Sequence, residues 1–188
     1  VIVVNIDRRA MLIQCFESLA AQTLAPLEVI LVDNGSTDGS LDVPDLFPGL
    51  NIRVIRNTSN QGFCAANNQG FAVAKGGLFA LLNNDAVAEP GWLAALAEAF
   101  DLHPQAGMAA SKILVYSQRD KIDKVGHLIY WDGQNRGRGA GQRDAGQFDA
   151  IEEVLWPDGC AAMYRREMID EIGGFDEDFF AYADDAEL

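Results

Sequence analysis

Three carboxylates in this chain stand at the ends of short apolar runs. Asp85 follows Leu81-Leu82-Asn83-Asn84, Asp33 follows Val29-Ile30-Leu31-Val32, and Asp7 closes Val3-Val4-Asn5-Ile6. Runs of this length and composition read as buried strands. In an open α/β sheet, ligands bind beyond the carboxyl ends of the strands. A carboxylate there can hold Mg²⁺ or Mn²⁺ against phosphate oxygens, because these ions prefer oxygen ligands and keep several waters. One carboxylate and a diphosphate suffice, and Asp85 is the candidate. Its alternative role is to cap the turn that follows.

Asp33 can accept hydrogen bonds from a nucleobase or a ribose. The small residues after it, Asn34-Gly35-Ser36-Thr37-Asp38-Gly39-Ser40, allow a close backbone approach to a ligand and equally fit an Asx turn. Asn5 and Asp7 would share that edge, with Arg8 and Arg9 either meeting phosphate or solvated. Asn60, Gly62, Asn67 and Asn68 bracket a helix start, where amides can read a base edge; capping is the plainer role for Asn60. At the far end, Asp176, Asp178, Asp184, Asp185 and Glu187 alternate with Phe175, Phe179, Phe180 and Tyr182. Carboxylates set against an apolar wall can act as bases. The same spacing fits a surface helix start with its phenylalanines in the core.

The elements that must position these groups alternate. Strands are expected at Val1–Asn5, Leu27–Val32, Ile52–Ile55, Leu78–Leu82, Gly107–Val115 and Ala161–Tyr164. Helices are expected at Ala10–Gln22, Phe63–Lys75, Gly91–Phe100 and Arg165–Ile172. This order predicts an α/β doubly wound, mostly parallel sheet of Rossmann-like character. Glycine-rich residues 116–150 read as a hairpin, with a strand at His127–Trp131, and a long loop.

The 188 residues fit one domain. A net charge of −14 argues against nucleic acid as a partner, and any anionic ligand would need a cation, helix N-termini or local Arg/Lys to be held. Cys15, Cys64 and Cys160 lack CxxC or zinc spacing and read as free thiols in a reducing cytosol. His103 and His127 have no partner at ligand spacing and read as structural. Walker and GxGxxG loops are absent. The chain opens in an apolar strand and stops in the acidic stretch, so it reads as part of a longer protein. Any peripheral membrane association would then reside in a missing segment.

Together these motifs resemble the inverting glycosyltransferases of family 2, in particular the rhamnosyltransferase-like branch with a GT-A fold. The resemblance is carried by Val3-Val4-Asn5 with Asp7, by Val32 through Ser40, by Asn60-Gln61-Gly62-Phe63 and by Ala66-Asn67-Asn68-Gln69-Gly70. It continues through Leu81-Leu82-Asn83-Asn84-Asp85 with Pro90-Gly91-Trp92-Leu93, Gly159-Cys160-Ala161-Ala162, Arg165-Arg166-Glu167, Gly173-Gly174-Phe175-Asp176 and Phe180 through Leu188.

The resemblance implies a nucleotide-diphosphate sugar donor (UDP or dTDP), a carbohydrate or glycolipid acceptor, Mg²⁺ or Mn²⁺, a cytoplasmic location at the inner face of the membrane and polysaccharide or glycolipid synthesis. It implies that Asp33, Asn5, Asp7, Asn34, Asn60, Gly62, Asn67 and Asn84 serve the nucleotide, with the metal on Asp85. Asp185 would be the catalytic base, with Asp158, Gly159 and Asp184 on the acceptor side. The chain departs from the family pattern in three places: Ile6-Asp7 for Tyr-Asn, Asn83 for the first acid of Asp-x-Asp, and Asp184 and Glu187 around Asp185 for Glu and Asp. A nucleotidyltransferase would want a glycine-rich basic loop after the first strand, where only Arg8-Arg9 stand. A binding module without turnover is the other alternative.

Overall fold

The computed structural model describes residues 1–180; Asp184 and Asp185 lie outside the described residues. The central sheet has six strands. β1 (Ile2–Asn5), β2 (Val29–Asp33), β3 (Ile52–Arg56) and β4 (Leu78–Leu82) are joined by crossovers and run parallel. The helices are α1 (Arg9–Ala20), α2 (Gly62–Val73) and α3 (Trp92–Leu102). β5 (Met108–Ala110) lies at the far edge. Five further elements follow: β6 (Lys112–Val115), β7 (Gln118–Val125), β8 (His127–Ile129), β9 (Asn135–Gly137) and β10 (Ala161–Arg165), before α4 (Arg166–Ile172). The order across the sheet is β3-β2-β1-β4-β10-β5, with β10 antiparallel to both neighbours.

Alternation along each strand divides the core between the two faces. Ile2, Ile30, Val32, Phe79, Leu81, Ala162 and Tyr164 meet Phe71 of α2 and Ile169 of α4 on one face. Val3, Val29, Leu31 and Leu82 meet Leu12, Cys15, Phe16 and Leu19 of α1 on the other, where α3 packs on Ala80 and Met163 through Leu93, Leu96 and Phe100. α2 approaches closely because of Gly70: a Cβ there would stand 2.6 Å from Ile2 Cγ2. Helices on both faces of a mostly parallel sheet match the expected class.

Two expectations change. The strand expected at Gly107–Val115 is two strands, broken at buried Ser111, whose hydroxyl accepts the Trp92 indole N–H at 2.8 Å. β5 stays on the central sheet, while β6 leaves it to pair with β7. Residues 116–150, expected as a hairpin and a long loop, hold the β8–β9 hairpin and also β7, a strand that was not expected. The long polar strand β7 pairs on one side with β6, and a bridge joins Lys121 to Arg143. Short turn-rich residues after β2 contain a 3-10 helix at Ser40–Leu46. Among the described residues, no helix is long and apolar enough to cross a membrane.

Candidate functional site

β2, β1 and β4 end side by side, and their ends carry Asp33, Asn5 and the Asn83-Asn84-Asp85 turn. Asn5 and Asp33 are each 1% exposed. Hydrogen bonding explains how such polar groups tolerate burial. Asn84 Nδ2 donates to Asn5 Oδ1 at 2.7 Å. Asn5 Nδ2 donates onward to Asp33 Oδ1 at 3.3 Å and to Ser36 Oγ at 3.1 Å. Asp33 Oδ2 accepts the Ser36 N–H at 2.9 Å, so the carboxylate closes its own Asx turn. The relay ties three strand ends into one rim.

Asp7 sits beside it with φ 46, in the left-handed region. Among residues with a Cβ, Asp tolerates that region better than most. The turn holds it there: Asp7 Oδ1 accepts the Thr37 N–H at 2.7 Å, and the Asp7 N–H donates to Ser36 Oγ at 2.9 Å. Asp38 accepts the Arg9 N–H at 2.8 Å and thereby serves the N-terminus of α1, which has no side-chain cap at Arg8. The Ser40 hydroxyl and backbone N–H groups hold the Asp38 carboxyl below the usual carboxylate range.

A second amide cluster joins this rim to α2. Asn34 Nδ2 donates to Asn60 Oδ1 at 3.1 Å and to the Gly62 carbonyl at 3.2 Å, while Asn34 Oδ1 accepts from Asn57 at 2.8 Å. Asn60 Oδ1 also accepts the Gly62 N–H, the capping role its position suggested. Asn67 is buried, and its amide donates to the Phe63 carbonyl within α2 at 3.0 Å. The structure does not link it to the rim network. Arg8 and Arg9 are exposed.

Asp85 is exposed, and its carboxylate accepts no hydrogen bond among the described residues. No group of three His, Cys, Asp or Glu side chains able to hold a metal occurs among those residues. The protein side of a cation site would therefore be one free carboxylate with amide oxygens nearby. That donor set fits Mg²⁺ or Mn²⁺ whose remaining ligands are waters and phosphate oxygens.

Across the edge, β10 enters the sheet where β4 leaves it. Ala161 pairs with Leu82, and the Asn83 N–H donates to the Cys160 carbonyl at 2.8 Å. This brings Asp158 and Gly159 to the same edge as Asp85. Cys160 lies within the field of both carboxylates: burial first, then Asp158 and Asp85, push its thiol up to about 12. Burial, Asp85 and Cys160 likewise raise Cys15 to about 12. Among the described residues, none of the three cysteines is in a disulfide.

Asp158 has companions that sequence reasoning missed. Its Oδ2 accepts from Lys124 Nζ at 2.8 Å and lies 3.2 Å from His127 Nε2, and its Oδ1 accepts the Cys160 N–H at 2.9 Å. Burial pushes the Asp158 carboxyl up, but the Lys124 ammonium, the Cys160 N–H and His127 together hold it below its usual range. His127 therefore does not stand alone. It stacks on Trp156 at 5.8 Å and faces Asn135 Oδ1 at 2.9 Å. Lys124 and His127 stand 34 and 31 residues from Asp158, so no local spacing signals them.

Residues 1–173 match the family model described as Glycosyl transferase family 2. This chain belongs to that family. It is 26% identical to a glucosyl-dolichyl phosphate glucuronosyltransferase of Haloferax volcanii, over 92% of this chain and 53% of that protein. It is 28% identical to the uncharacterized glycosyltransferase YwdF of Bacillus subtilis, over 98% of this chain and 64% of that one. The family 2 chain thus spans between about half and two thirds of the length of these relatives. Among solved structures it resembles the mannosyltransferase PcManGT of Pyrobaculum calidifontis in complex with GDP-Man and Mn²⁺. That match has a TM-score of 0.67 and 20% identity, over 98% of this chain and 48% of the other. It also resembles S. aureus TarS 1-349 in complex with UDP-GlcNAc, with a TM-score of 0.67 and 21% identity, over 93% of this chain and 47% of the other. The fold is GT-A.

Proposed function

We propose that the family 2 protein containing this chain is a metal-dependent inverting glycosyltransferase. It moves a sugar from a nucleoside diphosphate to a hydroxyl of a carbohydrate or glycolipid acceptor. The observation that carries this reading is the shared rim: Asp33, Asn5 and Asp85 leave three adjacent parallel strands on one edge. In this reading Asp33, with Asn5, Asp7, Asn34, Asn60, Gly62 and Asn67, serves the nucleoside, and Asn84 and Asp85 serve the diphosphate. Asp85 would hold Mg²⁺ or Mn²⁺, which when bound supplies positive charge against the leaving diphosphate. That cation answers the net charge of −14, which would otherwise repel an anionic donor.

Asp185 takes a proton from the acceptor hydroxyl, which attacks the anomeric carbon as the diphosphate departs from the opposite side. The C–O bond to the diphosphate breaks as the new glycosidic bond forms, and configuration inverts. Residues 1–115 handle the donor and 116–188 the acceptor, with Asp158, Gly159 and Asp184 at that side. The proposed donors carry UDP or dTDP and a hexose such as rhamnose, for cell-surface polysaccharide or glycolipid synthesis. This finer reading is supported by motif resemblance. The proposed setting is the cytoplasm at the inner membrane face, and three cysteines outside any disulfide suit such a reducing compartment.

Calorimetry with UDP, GDP and dTDP, each with and without Mn²⁺, tests the reading. Metal-dependent binding of at least one supports it, and metal-independent binding or none refutes it.

A further inference from the structure

α2 grips the end of the described chain at two points. Asn68 bonds both backbone groups of Phe175: Nδ2 donates to its carbonyl at 2.8 Å, and Oδ1 accepts its N–H at 2.9 Å. The same amide donates to Glu177 Oε1 at 3.1 Å. A Cβ on Gly174 would lie 2.1 Å from Asn68 Oδ1, so glycine is what permits this approach. At the start of α2, the Phe63 N–H donates to the Phe180 carbonyl at 2.8 Å. The helix has no side-chain cap at Gln61, so residue 180 satisfies a helix-terminal donor. Gly62, at φ +85, again makes room: a Cβ would stand 2.6 Å from that carbonyl oxygen. Phe175 is buried between these points, with its ring 5.7 to 6.1 Å from those of Phe63, Phe71 and Tyr164.

We propose that Asn68 is a positioning residue for the reaction. Together with Gly174 and Gly62 it fixes Phe175–Phe180 on α2, so that the acidic residues after Phe180 start from a set anchor beside the donor rim. This rests on the transferase reading, in which Asp185 is the base. Asp185 is five residues past Phe180, a reach of at most about 17 Å. Without those bonds the last fixed point is the buried ring of Phe175, ten residues before Asp185, and the reach doubles to about 34 Å. The anchor is also bonded to the donor side, because the Gly62 carbonyl accepts from Asn34.

The test compares Asn68→Ala and Gly174→Ala with the wild type in the full-length protein. Three quantities are read: amide hydrogen exchange of 173–180, donor affinity by calorimetry, and kcat at saturating donor. The expected result is faster exchange in 173–180 in both variants, donor affinity within about twofold, and kcat lower by about 10²-fold, the scale of a misplaced catalytic group. Unchanged exchange, or faster exchange with wild-type kcat, overturns the proposal. So does a parallel loss of donor affinity and kcat with a lower unfolding temperature, which marks a purely structural role. If the wild type transfers no sugar, the transferase reading fails and takes the positioning role with it. In that event unchanged exchange would reject the clamp as well, and faster exchange would leave it as an anchor only.

Discussion

Moving one negative charge along the rim relay separates hydrogen bonding from ligand binding. In the wild type, Asn84 donates to Asn5 and Asn5 donates to Asp33. Asp33→Asn puts an amide where the carboxylate was. Its oxygen can keep the Ser36 N–H, and its NH₂ then meets an acceptor only if Asn5 turns over. Asn84 must turn over in response, and it is only half-buried. Two flips restore the relay, and the Ser36 hydroxyl must turn to donate to the Asn5 oxygen that now faces it, so Asp33→Asn should cost less than about 1 kcal/mol, an ordinary figure when partners survive. Asn84→Asp behaves differently. Its carboxylate faces Asn5 Oδ1, and turning Asn5 only moves the oxygen–oxygen contact to Asp33. One acceptor pair stays in conflict, at about 1–3 kcal/mol, or about 2–4 °C in Tm per kcal/mol for a chain of this size.

The double variant removes the conflict. The amide introduced at position 33 donates to a turned Asn5, which donates to the carboxylate introduced at position 84. Urea unfolding of the four proteins should therefore show favourable coupling of about 1–2 kcal/mol. Calorimetry with a nucleoside diphosphate should give at least tenfold weaker binding in both proteins lacking Asp33, a loss of about 1.4 kcal/mol or more. Additive stability costs would refute the relay. Donor affinity recovered along with stability would refute the role given to Asp33.

Asp85→Ala should abolish metal-dependent nucleotide binding while leaving the unfolding free energy within about 0.5 kcal/mol, as expected for an exposed side chain; binding that persists removes Asp85 from the metal role. Asp185→Asn should keep donor affinity and lower transfer by about 10²–10⁴-fold, and wild-type transfer would remove its role as base. Lys124→Met should destabilise by about 1–3 kcal/mol at neutral pH. Because the folded Asp158 carboxyl is held low, its share of that stability is present above the unfolded value near 3.9 and is lost as pH falls through the folded one. Burial alone would lower the folded Lys124, but Asp158 and Asp123 outweigh it and hold the ammonium high. Its share is therefore present below about 10.4 and fades as pH rises through the folded value. Urea titrations should thus show the gap from wild type closing as pH falls below the ordinary carboxylate range, and a pH-independent gap would refute the ion pair.

The four parallel strands were legible because their signals are local. Apolar runs of strand length ended in Asn5, Asp33 and Asp85, and the three ends do converge. The direction of β10 was not legible, since Ala161–Tyr164 reads the same either way. Strand β7 escaped because Gln118, Arg119 and Asp120 are all exposed, so it lacks the apolar alternation that marks a half-buried strand. The break at Ser111 hid within an otherwise apolar stretch, its cause being a bond to Trp92 on α3. His127 looked solitary because its carboxylate partner stands 31 residues away.

The reversed direction of β10 has a consequence for how such a protein can change. β5 leaves the sheet at Ala110 and β10 enters it at Ala161, and Ala110 is paired with Ala162. Everything between, including β6 to β9 and Asp158, departs from and returns to nearly one point. Such a segment is closed at its base by the sheet itself. Its length and sequence can be rewritten with little strain on the strands, since closure entropy grows only slowly with length. The rim at Asp33, Asn5 and Asp85 lies wholly outside it. A cartridge of this kind can be exchanged for another while that rim stays fixed.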